Sequence, residues 1–267
     1  MTLFNLLLVA IVQGITEFLP VSSSGHLILL SQLTTLQDQG QVIDVSVHVG
    51  TLFAVILYFW RDVSSVIFGI PRLLTGKIDT PGSRLGFLLG IATVPVVILG
   101  LILNMTGLDN AMRSVAVIGW SMLLFGILLY WMDQKGASEK TASDWTLKDA
   151  IIMGLWQAVA LIPGTSRSGI TITGARALGY DRQDAAKLSM LMSIPTIIAS
   201  AVLLGAEVMQ SADMSVARDG AIAAGFSFIA ALLALSLMMR LLKSVSYTPY
   251  VIYRIVLGLA LLYIAYS

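Results

Sequence analysis

Six stretches of this chain, 42–60, 85–103, 115–132, 185–204, 221–239 and 251–265, are each apolar over close to the roughly 20 residues that a helix needs to cross a bilayer. Only lipid dissolves so much apolar surface arranged in runs of that length. Composition agrees: 57% of the residues are hydrophobic, 12% are charged, and the mean hydropathy is +0.88, outside the range of soluble domains. The expected fold class is therefore an all-α polytopic membrane protein. The net charge of +1 favours no nucleic-acid partner, because the few charges sit in short connections and form no patch. Without cysteine there is no disulfide and no thiolate metal site. The first residues lack a basic region and a small-residue cleavage site, so they read as mature protein and not as a signal peptide.

Two further apolar regions are interrupted. Residues 2–36 are broken by Pro20 and the run Ser22-Ser23-Ser24, and residues 150–178 by Pro163, Gly164, Gly169 and Arg176. Each is expected to form a re-entrant pair of half-helices meeting at an irregular turn, which is tolerated at membrane depth only inside protein or beside water. The basic residues orient the chain. None precedes Arg61. Thereafter Arg61, Arg72, Lys77 and Arg84 crowd one connection, Lys135, Lys140 and Lys148 a second, and Arg240 and Lys243 a third, so these should be cytoplasmic. The connections around Asp109 and Asp213, with only Arg113 and Arg218, fall on the opposite side. Three spans separate the two broken regions, so they enter from opposite faces. The expectation is one integral membrane domain, 1–267, made of inverted halves 1–133 and 149–267, each a re-entrant hairpin plus three spans. That architecture places a site between the broken helices. The internal likeness is short: Leu19-Pro20 against Ile162-Pro163, about 143 residues later, each followed by a Ser/Gly turn.

The chemistry sits at these interruptions. In the segment from Gln13 to His26, Gln13 and Glu17 are four residues apart and share a helix face. A carboxylate there suits a hard, oxygen-seeking cation such as Mg2+ or Ca2+, with Glu17 and Gln13 as the expected metal residues. The alternative is that Glu17 only satisfies a buried turn. The serines can cap the half-helix that ends there. His26, one of two histidines in the chain, is either a base for a neighbouring hydroxyl or itself the nucleophile. In the second segment, Arg167 is the strongest candidate, because a guanidinium forks onto phosphate oxygens and keeps its charge. Ser166 and Thr165 offer N–H groups at a new helix start, an anion cradle or plain caps. Asp44 and His48 share a helix face, which a local hydrogen bond explains as well as a role in the site. Arg254 is expected to snorkel to the cytoplasmic surface, residues 136–149 to form a solvated loop, and Gly119, Gly126 and Gly154 to permit close helix approach.

Gln13-x-x-x-Glu17 with Pro20-Val21-Ser22-Ser23-Ser24-Gly25-His26, followed by Pro163-Gly164-Thr165-Ser166-Arg167-Ser168-Gly169, resembles the two signature segments of the bacterial undecaprenyl-diphosphate phosphatase family, also called the bacitracin-resistance family. The likeness extends to length, span order and the Pro249 to Arg254 start of the last helix. It implies hydrolysis of undecaprenyl diphosphate to undecaprenyl phosphate and phosphate, recycling the lipid carrier of peptidoglycan synthesis with a divalent cation. It points to Ser23 as the catalytic hydroxyl, with His26, Glu17 and Arg167 completing the catalytic set and Ser22, Thr165, Ser166 and Arg167 binding substrate. The implied partners are a long-chain polyprenyl diphosphate and membrane lipids. A homodimer is left open, and the implied location is the bacterial inner membrane with the site facing outward. The type 2 phosphatidic acid phosphatases share Ser-Gly-His and Ser-Arg locally, but they need a later histidine as nucleophile and none follows Arg167. A secondary transporter or lipid flippase of inverted-repeat build is the alternative from another class, since fold alone does not fix function.

The charge distribution predicts that the connection near Asp38 is outside the cell and that near Thr75 inside. Single cysteines at these positions, probed in intact cells with an impermeant thiol reagent, should label at Asp38→Cys only. Labelling at Thr75→Cys alone would reverse the orientation.

Overall fold

The computed structural model describes residues 2–27, 41–108, 112, 114–211 and 214–267. The end of the first broken region, to residue 36, and the connections at Asp109, Arg113 and Asp213 lie outside the described residues. Among the described residues the regular structure is helical. In chain order the helices are α1 (Leu3–Phe18), α2 (Gln41–Tyr58), α3 (Trp60–Leu74), α4 (Pro81–Thr106), α5 (Val115–Lys135), α6 (Leu147–Val159), α7 (Arg167–Ala177), α8 (Arg182–Ser211), α9 (Met214–Leu241) and α10 (Thr248–Tyr266), with a short 3-10 turn at Ala142–Asp144. A further helical stretch begins at residue 23. Five helices, α4, α5, α8, α9 and α10, are long and apolar enough to cross a membrane, and α2 with α3 makes a sixth if the pair is one span.

Local sequence sets the ends. α4 opens with Pro81 in its first turn under a Thr80–Ser83 capping box and closes on Gly107 in the left-handed region. Ser114 caps α5 and Thr146 caps α6, each accepting a backbone N–H from the third residue on. α1 stops at Leu19, which is extended because the next residue, Pro20, disfavours the helical conformation. One expectation changes: the basic connection after the first span is itself a helix. α3 leaves α2 at Phe59 with a bend of 93°, carries Arg61 and Arg72, and is tied to α8 by an Asp62–Lys187 ion pair at 2.7 Å.

Burial is the reverse of that in a soluble protein. Phe68, Met105, Val202, Leu233 and Tyr263 are among the most exposed side chains, whereas Gln13, Thr51, Gln157, Thr171, Ser189, Ser193 and Ser227 are wholly buried. The apolar surface faces lipid and the polar groups pair inside the bundle. Close helix approach is made by small residues. A Cβ at Gly14 would fall 2.6 Å from the Ser227 oxygen of α9, and one at Gly154 would fall 2.7 Å from the Ala92 oxygen of α4. The short helix of each broken region therefore packs on a long helix from the other half of the chain, α1 on α9 and α6 on α4, while α5 and α10 pair across the middle.

The loop at 136–149 is more than a solvated connection. Trp145 and Asp149 are buried, Lys140 bridges to the backbone of Tyr180, and the Tyr180 hydroxyl donates to Asp149 at 2.7 Å. Beside it the wholly buried Asp133 carboxylate meets Arg176 at 3.3 Å and Arg182 at 2.7 Å and accepts the Tyr247 N–H at 3.2 Å. Arg176 also donates to the backbone carbonyls of Asp133, Gly136, Ala137 and Tyr180. This knot ties the C-terminal end of α7 to the end of α5 and to the loop at 136–149. Asp133→Ala strands a buried guanidinium and should cost about 3–5 kcal/mol. Thermal melting in detergent checks this; an unshifted midpoint would mean that the knot does not support the fold.

Candidate functional site

Both interruptions are built alike. After Pro20 the backbone reaches Ser22 at φ +73° and a helix restarts at residue 23; after Pro163 it passes Gly164 at φ +87°, reaches Ser166 at φ +69°, and α7 starts at Arg167. Positive φ at a serine is uncommon and strained. Here it lets the chain turn sharply at each serine into a new helix, which Ser166 also caps by accepting the Gly169 N–H at 3.2 Å. The hydroxyls pair in the same way, Ser22 with Ser24 at 3.0 Å and Ser166 with Ser168 at 3.1 Å. The glutamines one helix earlier, Gln13 and Gln157, are both fully buried with an unpartnered side-chain oxygen. Gln13, Ser22, Ser24 and Gly25 thus correspond to Gln157, Ser166, Ser168 and Gly169, one residue out of step with the proline match.

Each turn is strapped to the other. The Ser24 hydroxyl accepts the Gly164 N–H at 3.3 Å, and the Ser168 hydroxyl donates to the Leu19 carbonyl at 2.9 Å. Between them lies a cavity of about 190 Å3 lined by Thr16, Glu17, Ser22, Ser23, Ser24, His48, Gly164, Ser166 and Arg167, among others.

The ionisable groups meet there. Glu17, on the last turn of α1, accepts from Arg167 Nη2 at 2.8 Å across the two halves, with both side chains largely buried. Its other oxygen accepts from the Gln13 amide nitrogen at 2.7 Å, as the i, i+4 spacing requires. Arg167 also reaches the Ser189 carbonyl at 3.3 Å. His48, for which the sequence left a local hydrogen bond and a role in the site equally open, has both. Its Nε2 lies 3.1 Å from the Gln13 amide nitrogen and 3.7 Å from Glu17. Its Nδ1 lies 2.7 Å from the Asp44 carbonyl, which can only accept, so Nδ1 carries the proton and Nε2 receives the Gln13 N–H.

His26 is placed differently from a base poised over Ser23. Nδ1 donates to the Ser22 carbonyl at 2.7 Å, leaving Nε2 to accept from the Tyr253 hydroxyl at 2.6 Å, and the two rings stack with an interplanar angle of 7°. Among the described residues no hydrogen bond joins Ser23 to His26; Ser23 lines the cavity. Of the expected substrate-binding residues, Ser22, Ser166 and Arg167 line the cavity, whereas Thr165 is fully buried with an unpartnered hydroxyl oxygen.

Arg254 overturns its expectation. It does not snorkel: it is 0% exposed and lies beneath both turns. The signal was present, a cation inside an apolar helix, but its place near the helix start made the surface the simpler destination. Tyr253 offers no comparable signal, because a tyrosine near a helix end is ordinary at a membrane interface.

Fold and site together define a polytopic membrane protein with a polar, ion-paired cavity held between two interrupted helical regions. The chain matches the family of bacitracin resistance protein BacA over residues 6–260. It is 70% identical to an undecaprenyl-diphosphatase of Ruegeria pomeroyi and 69% identical to one of Jannaschia sp., each over 100% of both chains. It is 44% identical to undecaprenyl-diphosphatase 1 of Rhodospirillum rubrum, covering 100% of this chain and 96% of the relative. The chain belongs to the BacA bacitracin resistance family.

Proposed function

We propose that this protein is an undecaprenyl-diphosphate phosphatase. It hydrolyses the terminal phosphoanhydride of a long-chain polyprenyl diphosphate, releasing phosphate and the polyprenyl phosphate carrier. The observation that carries the reading is the Arg167–Glu17 pair beside the Ser23 hydroxyl, in a cavity with room for a diphosphate head and none for a prenyl chain. Full-length identity to proteins named undecaprenyl-diphosphatase supports the same substrate.

The residues divide the work by chemistry. Arg167 exchanges Glu17 for the diphosphate and stabilises charge on the phosphate oxygens as the bridging oxygen leaves. Ser166 and Arg167 present backbone N–H groups at the start of α7, where a helix favours anions. Ser23 is the hydroxyl at the cavity, and His26, whose Nε2 lone pair accepts from Tyr253 in this tautomer, is the base for it or the nucleophile in its place. In either role Nε2 must part from Tyr253. Oxygen donors suit a hard divalent cation, Mg2+ or Ca2+: the Glu17 carboxylate lines the cavity, and Gln13, whose amide nitrogen meets Glu17 while its oxygen is unpartnered, would turn that oxygen toward the cavity to join it. Among the described residues no three His, Cys, Asp or Glu side chains gather, so phosphate oxygens and water would complete the shell. When bound, the cation supplies neutralising charge to the diphosphate. Glu17 would then give up Arg167 to the substrate without leaving a carboxylate unpaired.

The proposed setting is the bacterial inner membrane with the cavity open to the extracytoplasmic side. The lack of Lys and Arg before Arg61 supports this orientation. The reciprocal packing of α1 on α9 and α6 on α4 supports inverted halves 1–133 and 149–267.

Purified protein in nanodiscs should release phosphate from a polyprenyl diphosphate and stop when divalent cations are chelated; no release with any divalent cation would remove the phosphatase reading. Glu17→Gln keeps shape but loses charge. It should fold, lose most turnover, and regain part of it at higher cation concentration, and unaltered turnover would leave Glu17 a structural group. Arg167→Lys keeps charge but loses the fork. Its barrier should rise by roughly 2–4 kcal/mol, by analogy with removal of one oxyanion donor, with binding less affected; near-parent turnover would exclude the assigned role.

A further inference from the structure

Arg254 is a buried cation with no carboxylate. Of the ion pairs among the described residues none includes it. Its guanidinium is met by carbonyl oxygens from three places. Nη1 donates to Pro20 at 3.5 Å, Nη2 to Gly164 at 3.3 Å and Thr165 at 2.9 Å, and Nε to Met122 at 3.3 Å. One side chain from α10 therefore holds the turn after α1, the turn before α7 and the backbone of α5. Two glycines make room for it. A Cβ at Gly126 would fall 3.3 Å from Arg254 Cβ, and one at Gly169 would fall 2.6 Å from Nη1.

Peptide geometry carries the effect of that grip to the cavity. In a planar trans peptide the C=O and N–H point in opposite directions. The Thr165 carbonyl faces Arg254, so the N–H of the same peptide unit, carried by Ser166, faces away from it. Ser166 lines the phosphate-sized cavity. Neither the Ser166 nor the Arg167 N–H makes a hydrogen bond among the described residues, although Thr165 N–H is satisfied by Ile162. Carbonyl dipoles offset only part of a buried charge. The remainder acts on anything anionic on the far side of the turns.

We propose that Arg254 is a positioning residue for the reaction. It clamps both turns by their carbonyls, so that the Ser166 N–H is held toward the bound phosphate with an only partly compensated positive charge behind it. The clamp is an inference from geometry; its service to a phosphate rests on the phosphatase reading above.

The test uses the full chain in nanodiscs with Arg254→Met, Arg254→Lys and Gly126→Ala. It reads amide hydrogen exchange together with steady-state phosphate release from a polyprenyl diphosphate. Arg254→Met should speed exchange at least tenfold at both turns, 19–22 and 163–168, and leave the core of α4 unchanged. It should lower kcat at least 100-fold with KM moved only a few-fold. Arg254→Lys should restore less than a tenth of the lost kcat, because an ammonium cannot fork onto four carbonyls. Gly126→Ala crowds the side chain with every charge intact and should lower kcat several-fold, which keeps the test open if Arg254→Met fails to fold. The proposal is overturned if exchange changes at neither turn or at one only, if Arg254→Met keeps kcat within threefold of the parent, or if lysine restores it fully. If the parent releases no phosphate, the phosphatase reading falls, and the exchange data still decide the clamp.

Discussion

A helix broken inside a membrane leaves N–H and C=O groups that no water can reach, and most of this molecule is shaped by how those groups are met. The carbonyls at the two breaks are taken by side chains, Leu19 by Ser168 and Pro20, Gly164 and Thr165 by Arg254. Several of the partners come from the other part of the chain. The breaks thus support one another, and α1 and α6 pack most extensively on distant helices, approaching them closely at Gly14 and Gly154. Among the described residues the Ser166 and Arg167 N–H groups at the start of α7 stay unclaimed. A ligand rich in acceptor oxygens is what such a surface lacks.

The charges obey the same constraint. Glu17 and Arg167 neutralise each other at 2.8 Å, each lending the other a partner where lipid offers none. A ligand that displaces one must compensate both, as the proposed diphosphate and cation would in a single event. The Gln13 amide joins Glu17 to His48, so α2 is coupled to the same centre. The second ionic knot, around Asp133, lies at the other end of α7, where Arg176 and Arg182 share one buried carboxylate.

Much of this was legible in the sequence because lipid makes polar residues conspicuous. Pro20 and Pro163 marked both breaks, and Glu17 and Arg167 stood out as charges inside apolar runs. What the sequence hid were partnerships between distant elements. His48 stood open between a local bond and the site, and it makes both contacts: its Nδ1 bonds to its own helix, while its other nitrogen meets Gln13 on α1. Arg254 was sent to the surface, since the carbonyls that hold it belong to residues between 89 and 234 positions away in the chain. The helix after Phe59 is marked in the sequence, although its basic residues read as a connection: between Arg61, Asp62, Ser64, Ser65 and Arg72 the apolar residues of 60–74 recur at helical spacing, and α3 packs against α4 and meets Lys187.

The cavity between the two turns admits a headgroup and leaves the hydrocarbon tail of the proposed substrate in the bilayer. The tail is then in the same solvent before and after binding, and its large transfer free energy drops out of the affinity. Recognition reduces to a two-dimensional encounter in which the tail sets only how much substrate the membrane holds. A molecule with the same head and no tail would touch the same groups, yet it would have to find them from water, at a concentration the bilayer does nothing to raise.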